Sequence, residues 1–185
     1  MLEWVQRADE SVLRWIADCL RRPVWDGIMR AYTSLGNGGA VFIVLAVLFL
    51  FFRKTRRAGT TALTALALGA LVTNLTVKPL VARPRPWLVM KGFETLLRSG
   101  DPNSFPSGHT CAAFAFGVAA AVVLRPKWVK VMALIAAVLM GFSRLYVGVH
   151  FPSDVMAGAA IGACCGLLAP RLISAAERWV SGRRR

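Results

Sequence analysis

Residues 105–124 read FPSGHTCAAFAFGVAAAVVL. From Ala112 onward the run is apolar enough for lipid, yet it is entered through a proline, a serine, a glycine and one of only two histidines in the chain. Polar and ionisable groups at a membrane edge are costly unless they pair or work, so they mark candidate sites. The other histidine, His150, has the same setting, just ahead of the apolar stretch that starts near residue 152.

Outward from this stretch, the pattern repeats. Of 185 residues 56% are hydrophobic, and they are gathered into blocks. A helix crossing a bilayer core takes about 20 mostly apolar residues. Blocks near 35–52, 58–77, 108–124, 128–143 and 152–173 approach that length. The expectation is all-α: a polytopic transmembrane helix bundle with five spans, forming one membrane-embedded domain over 1–185.

Residues 1–34 differ. Val5, Ala8, Val12, Trp15, Ile16, Cys19 and Leu20 recur at spacings of three and four, with Arg7, Glu10, Arg14 and Asp18 opposite. That periodicity predicts an amphipathic helix in the interface plane, or a sixth crossing helix. Pro23 opens a second short helix that Gly36-Asn37-Gly38-Gly39 ends. No basic region followed by an apolar run stands at the start, so no cleavable leader is expected.

The formal net charge is +14. Its basic residues cluster at the ends of apolar blocks, in RKTRR (53–57), in Arg125, Lys127 and Lys130, and in GRRR (182–185). Such placement is a topology signal and excludes a nucleic-acid partner as its cause. It puts those loops in the cytoplasm and both histidines on the extracytoplasmic side. Cys19, Cys111, Cys164 and Cys165 form no CxxC pair, so neither a disulfide framework nor a zinc site is indicated. Gly158, Gly162 and Gly166 form a repeated small-xxx-small pattern that suits close helix packing.

Three polar stretches then share the outer side: KPLVARPRP (78–86), FPSGHT (105–110) and SRLYVGVHFPSD (143–154). Lys78, Arg85 and Arg144 are cations. Any one would serve as a snorkelling or topology-setting charge; three beside two histidines point to an anion site. Arg presents a planar fork that fits phosphate oxygens, and Lys a point charge. Ser107-Gly108-His109 opens an apolar helix whose free N–H groups favour an anion, with Gly108 allowing close approach and Ser107 able to cap or to donate. His150 and Asp154 stand four apart, so the carboxylate could orient the ring and leave one nitrogen free to attack. Glu94 and Asp101, the other outer acids, are expected to be solvated loop charges, too few for a metal site. WLVMKGFETLL (87–97) has the spacing of a short interfacial helix.

Together these stretches resemble the type 2 phosphatidic acid phosphatase (PAP2) superfamily. Its pattern K-x6-R-P, P-S-G-H, S-R-x5-H-x3-D is met by Lys78 and Arg85-Pro86, by Pro106-Ser107-Gly108-His109, and by Ser143-Arg144, His150 and Asp154. The resemblance implies a PAP2/haloperoxidase-like core; membrane members commonly have six spans. It implies a metal-independent lipid phosphate or diphosphate phosphohydrolase without cofactor. His150 would be the nucleophile that becomes a phosphohistidine, Asp154 its orienting carboxylate and His109 the acid and base. Lys78, Arg85, Ser107, Gly108 and Arg144 would bind phosphate. The implied setting is multi-pass in the cell (inner or plasma) membrane, with the site facing the periplasm or exterior. The implied partners are membrane lipid and a lipid phosphate substrate. Undecaprenyl diphosphate is favoured; phosphatidylglycerophosphate, phosphatidic acid and phosphotransfer to another acceptor stay open, as does oligomeric state.

Overall fold

The fold is known from a computed structural model that describes residues 3–182. Met1, Leu2 and the three arginines of the basic tail (183–185) lie outside the described residues. Eight helices follow one another among those described. Helix α1 is Glu3–Trp15, prolonged by a wider π-helical turn, Ile16–Leu20. Helix α2, Pro23–Leu35, begins on a proline, whose missing N–H is no loss in a first turn. Gly38 and Gly39 then take left-handed φ angles of 59° and 71°, which a side chain would resist. The chain bends there by 46° into α3, Ala40–Phe51.

Helix α4 runs Arg56–Val81 and contains the π-helical stretch Leu71–Val77. Helices α5, Pro86–Val89, and α6, Gly108–Val123, are followed by α7, Lys127–Tyr146, and α8, Pro152–Gly182. Among the described residues α4, α7 and α8 are long and apolar enough to cross a membrane, and the bent α2–α3 pair makes a fourth if counted as one span. Five full spans are therefore not found. Helix α6 has 16 residues, about 24 Å at 1.5 Å per residue, short of a hydrocarbon core about 30 Å thick.

Short as it is, α6 is the axis of the bundle, packed against α4, α7 and α8. Small side chains make this possible: Ala62, Ala65, Ala113, Ala115, Ala119, Ala137 and Ala169 are buried, and the tilted Phe42–Phe116 pair, 5.7 Å between ring centres, fills the wider gap toward α3. The small-xxx-small pattern of α8 lies on α6. A Cβ added at Gly158 would stand 2.5 Å from the Ser107 carbonyl oxygen, and one at Gly162 would overlap that of Cys111. This contact also sets the start of α6, with its Ser-Gly-His turn, against the start of α8.

The outer loop departs from expectation in two places. Residues 78–81 are the last turn of α4, so the loop proper begins at Ala82. The helix expected over 87–97 stops at Val89: Met90 is extended and Gly92 has φ 70°. The apolar spacing serves packing instead. Met90 joins Leu13 and Phe151, with Phe93 against them, while Leu96 and Leu97 pack on Ile16, Tyr146, Val147 and Val149.

The amphipathic character of the first helix is present, but its buried edge is Asp9, Leu13 and Ile16, while Trp4, Val12 and Trp15 face outward. Arg21 donates from Nε to the Tyr146 carbonyl at 3.0 Å, and the Tyr146 hydroxyl donates to Asp26 at 2.8 Å. The N-terminal segment is thus tied to the end of α7.

Replacing Gly162 by valine is expected to lower stability by about 1–3 kcal/mol or more, the usual cost of overpacking. Gly27→Ala, where the space is open, should be neutral or slightly stabilising. Thermal unfolding in detergent measures both; a harmless Gly162→Val would contradict the α6–α8 contact.

Candidate active site

Each cation is placed by the end of a helix or by a loop pinned to one. Lys78 ends the π-helical stretch of α4, and such insertions often occur at functional sites. Arg144 lies in the last turn of α7, only 5% exposed, where Nη1 donates to Thr33 of α2 at 2.6 Å. Arg85 stands between Pro84 and Pro86 and is 3% exposed. Its Nε donates to the Asp101 carbonyl at 2.6 Å and its Nη1 to the Val149 carbonyl at 2.9 Å.

His150 follows Gly148 and Val149 in the tight connection between α7 and α8, and is buried. Its Nε2 is 3.3 Å from Nη1 of Arg85. Its Nδ1 is 3.7 Å from Oδ2 of Asp154 and has no hydrogen-bond partner. The carboxylate expected to bond the ring directly is close but engaged elsewhere: Oδ2 accepts from the Phe151 N–H at 2.8 Å and Oδ1 from Arg83 at 2.7 Å. Burial first, and then the charges of Arg144, Arg85 and Lys78, hold the His150 imidazole well below its ordinary pKa. It is therefore neutral and carries a lone pair at neutral pH.

His109, in the first turn of α6, has Nε2 3.0 Å from Oδ1 of Asn37, which the glycine turn between α2 and α3 delivers. Ser107 caps α6. Its hydroxyl accepts from the Thr110 hydroxyl at 2.9 Å, and its N–H donates to the Asp154 carbonyl at 3.0 Å. It is buried in this role, and its neighbour Gly108 lines the cavity in its place.

A cavity of about 560 Å³ has Lys78, Arg85, Arg144, His109, His150 and Gly108 in its wall. Its far wall is apolar, with Ile43 of α3, Leu63, Leu66 and Ala67 of α4, and Ala112 of α6. Six of the eight residues expected from the sequence line this cavity; Asp154 stands one layer behind the wall, and Ser107 sits beside it as a cap. Asp101 corrects an expectation. It is not a solvated loop charge: its Oδ2 receives Lys78 Nζ at 2.8 Å and lies 3.7 Å from Arg85. Partial burial pushes this carboxyl up, but bonds from Lys78 and the Asn103 N–H, with the nearby charges, hold it below its usual value. A carboxylate thus occupies part of the cationic cradle.

Sequence reasoning missed Arg83, Asp9, Asn37 and Thr33. Arg83 is 6% exposed and is held by Asp9 at 2.7 Å, Asp154 at 2.7 Å and Gln6 at 2.6 Å. The signal available was an acid at position 9 on the inner edge of an amphipathic stripe. Among the described residues no group of three or more His, Cys, Asp or Glu side chains could hold a metal ion.

A model of the PAP2 superfamily matches residues 58–178. The undecaprenyl-diphosphatase of Sulfolobus acidocaldarius is 33% identical over 134 residues, covering 72% of this chain and 64% of that relative, so about a third of its length has no counterpart here. The phosphatidylglycerophosphatase B of Bacillus subtilis is 32% identical over 170 residues, covering 85% and 79%. The crystal structure described as the first transmembrane PAP2 type phosphatidylglycerolphosphate phosphatase from Bacillus subtilis superposes with a TM-score of 0.77 at 28% identity, over 94% of this chain and 88% of that one.

Freeing Lys78 and Arg85 from their internal anion should strengthen anion binding. Asp101→Asn is expected to tighten inorganic phosphate about tenfold, on the scale of one charge-assisted bond worth about 1.4 kcal/mol. Calorimetric titration measures it; unchanged or weaker binding would show that Asp101 does not compete for the cradle.

Proposed function

This chain belongs to the PAP2 superfamily, and from that premise we propose that it is a metal-independent lipid phosphate or diphosphate phosphohydrolase working through a phosphohistidine. One observation carries the proposal. A neutral imidazole and three cations meet in a single cavity that is also lined by apolar helix surface.

His150 is the nucleophile. Its Nε2 attacks phosphorus in line with the leaving oxygen, forming the P–N bond as the P–O bond breaks. Asp154 takes up the positive charge that develops on the ring, through the 3.7 Å approach to Nδ1. Lys78, Arg85, Arg144 and the Gly108 N–H hold the equatorial oxygens, where charge is spread in the transition state. Ser107 caps that helix start and so presents the Gly108 N–H to the phosphate. The anionic headgroup brings to His109 the proton that burial and the flanking cations otherwise keep off this ring; His109 passes it to the leaving oxygen, and in the second step takes one from the water that splits the phosphohistidine. The lipid leaves after the first step as an alcohol, or as a monophosphate when the substrate is a diphosphate, and inorganic phosphate leaves after the second.

The apolar wall supports an amphiphile whose headgroup sits among the cations while its tail stays in lipid. The basic loops at the opposite end support a cytoplasmic position for that end, and with it a site that faces the periplasm or exterior of the cell membrane. Undecaprenyl diphosphate is the favoured substrate, in line with the relative from Sulfolobus acidocaldarius. A second reading has its own support: the phosphatidylglycerophosphatase relative aligns over more of both chains.

Three measurements test the proposal. A phosphate-release panel over prenyl diphosphate, phosphatidylglycerophosphate and phosphatidic acid should show turnover that His150→Ala reduces by more than about ten-thousandfold, beyond the roughly 10²–10⁴-fold that loss of acid–base help alone removes; equal activity in the variant would refute the role of His150. Release should continue in excess chelator, and its abolition there would require a metal mechanism. A nucleophilic histidine works unprotonated, so a folded-state pKa held below its usual value moves its protonation to lower pH. The acid limb of kcat/KM assigned to His150 should therefore fall well below pH 6.5; a limb above that value would contradict the buried, cation-flanked ring.

A further inference from the structure

Arg83 is the buried cation that the proposed chemistry leaves unused. Its guanidinium lies 4.0 Å above the Phe151 ring and spans two carboxylates that are themselves buried, Asp154 of α8 and Asp9 of α1. Nη1 donates to Asp154 Oδ1 and to the Ser153 hydroxyl at 2.8 Å. Nη2 donates to Asp9 and Gln6. The Ser153 N–H also donates to Asp9, at 2.9 Å. A buried ion pair of this kind contributes little net stability compared with apolar packing, so stability alone gives poor reason for it.

Its geometry gives a better one. Asp154 has one oxygen fixed by Arg83 and the other by the Phe151 N–H, so its carboxylate cannot turn. In that fixed plane Oδ2 is the oxygen that faces the unpartnered Nδ1 of His150. We propose that Arg83 is a positioning residue for the reaction. It clamps Asp154 so that Oδ2 stays aimed at the nucleophile's ring, and Asp9 of the first helix holds the clamp from behind. The N-terminal helix thereby becomes part of the catalytic apparatus without touching substrate. The inference rests on the phosphohydrolase assignment and on His150 being its nucleophile.

A double-mutant cycle tests it on the full-length protein in detergent, with prenyl diphosphate or phosphatidylglycerophosphate, whichever the wild type hydrolyses. Arg83→Gln is expected to lower kcat about 100-fold, the scale of a misplaced catalytic group, with KM changed less than about threefold because the cradle is untouched. Combined with Asp154→Asn, it should add nothing beyond about threefold to the loss from Asp154→Asn alone, as expected of residues acting through one another. Arg83→Lys should recover part of kcat, since one ammonium can serve one carboxylate but not both in a fork. Binding of inorganic phosphate, at one per chain and with unchanged Kd, certifies that each variant is folded. Where Arg83→Gln fails that check, Asp9→Asn takes its place in the cycle, with a smaller kcat loss that also vanishes in the Asp154→Asn background.

Losses that multiply, or a rise in KM at constant kcat, would overturn the clamp while leaving the phosphohydrolase assignment intact. A wild type that releases phosphate from none of these lipids would overturn both.

Discussion

Cations of like sign repel, and Arg85 and Arg144 are both nearly buried in the wall of one cavity, with Lys78 beside them. Asp101 offsets part of that repulsion at Lys78 and Arg85, and the proposed phosphate would offset the rest. The rest of the structure is organised to hold these charges in place: Arg85 by two backbone carbonyls, Arg144 by Thr33, and Lys78 by Asp101. The same charges, with burial, keep His150 neutral. One constraint thus supplies both halves of the proposed phosphoryl-transfer site, a clamp for the phosphate oxygens and a neutral imidazole.

Getting the charges together is a packing problem. Helix α6 must start beside the start of α8 for Gly108 and His109 to face His150. The glycines of α8 remove the side chains that would keep the two backbones apart. The break between α2 and α3 brings Asn37 to His109, and the outer loop is wedged by Met90, Phe93, Leu96 and Leu97 under the first helix. The proposed function therefore depends on residues far from the chemistry, including the N-terminal helix through the proposed Arg83 clamp.

How much of this was legible in the sequence follows from the range of each interaction. Lys78, Arg85, His109, Arg144 and His150 carry their chemistry in short motifs, and the apolar blocks beside them fix their common side. Asp9 and Arg83 do not, because each looks like a surface charge until residues 74 apart are brought into contact. Asp101 misled for the same reason: its partner, Lys78, lies 23 positions away. The helix expected over 87–97 failed locally. Its apolar spacing was sound, but Gly92 adopts a left-handed turn and the side chains reach the core as a loop. The five-span count is left unconfirmed by length, since α6 is short for a crossing on its own and is covered by its neighbours on several sides.

The central claim is that the ring of His150 takes the phosphoryl group. Rapid quenching with lipid labelled at the scissile phosphate, followed by peptide mapping under alkaline conditions that preserve phosphohistidine, tests it most directly. Label should appear within milliseconds on the peptide that contains His150 and be absent from His150→Ala. Label on His109, or turnover with no labelled histidine at any time, would contradict it.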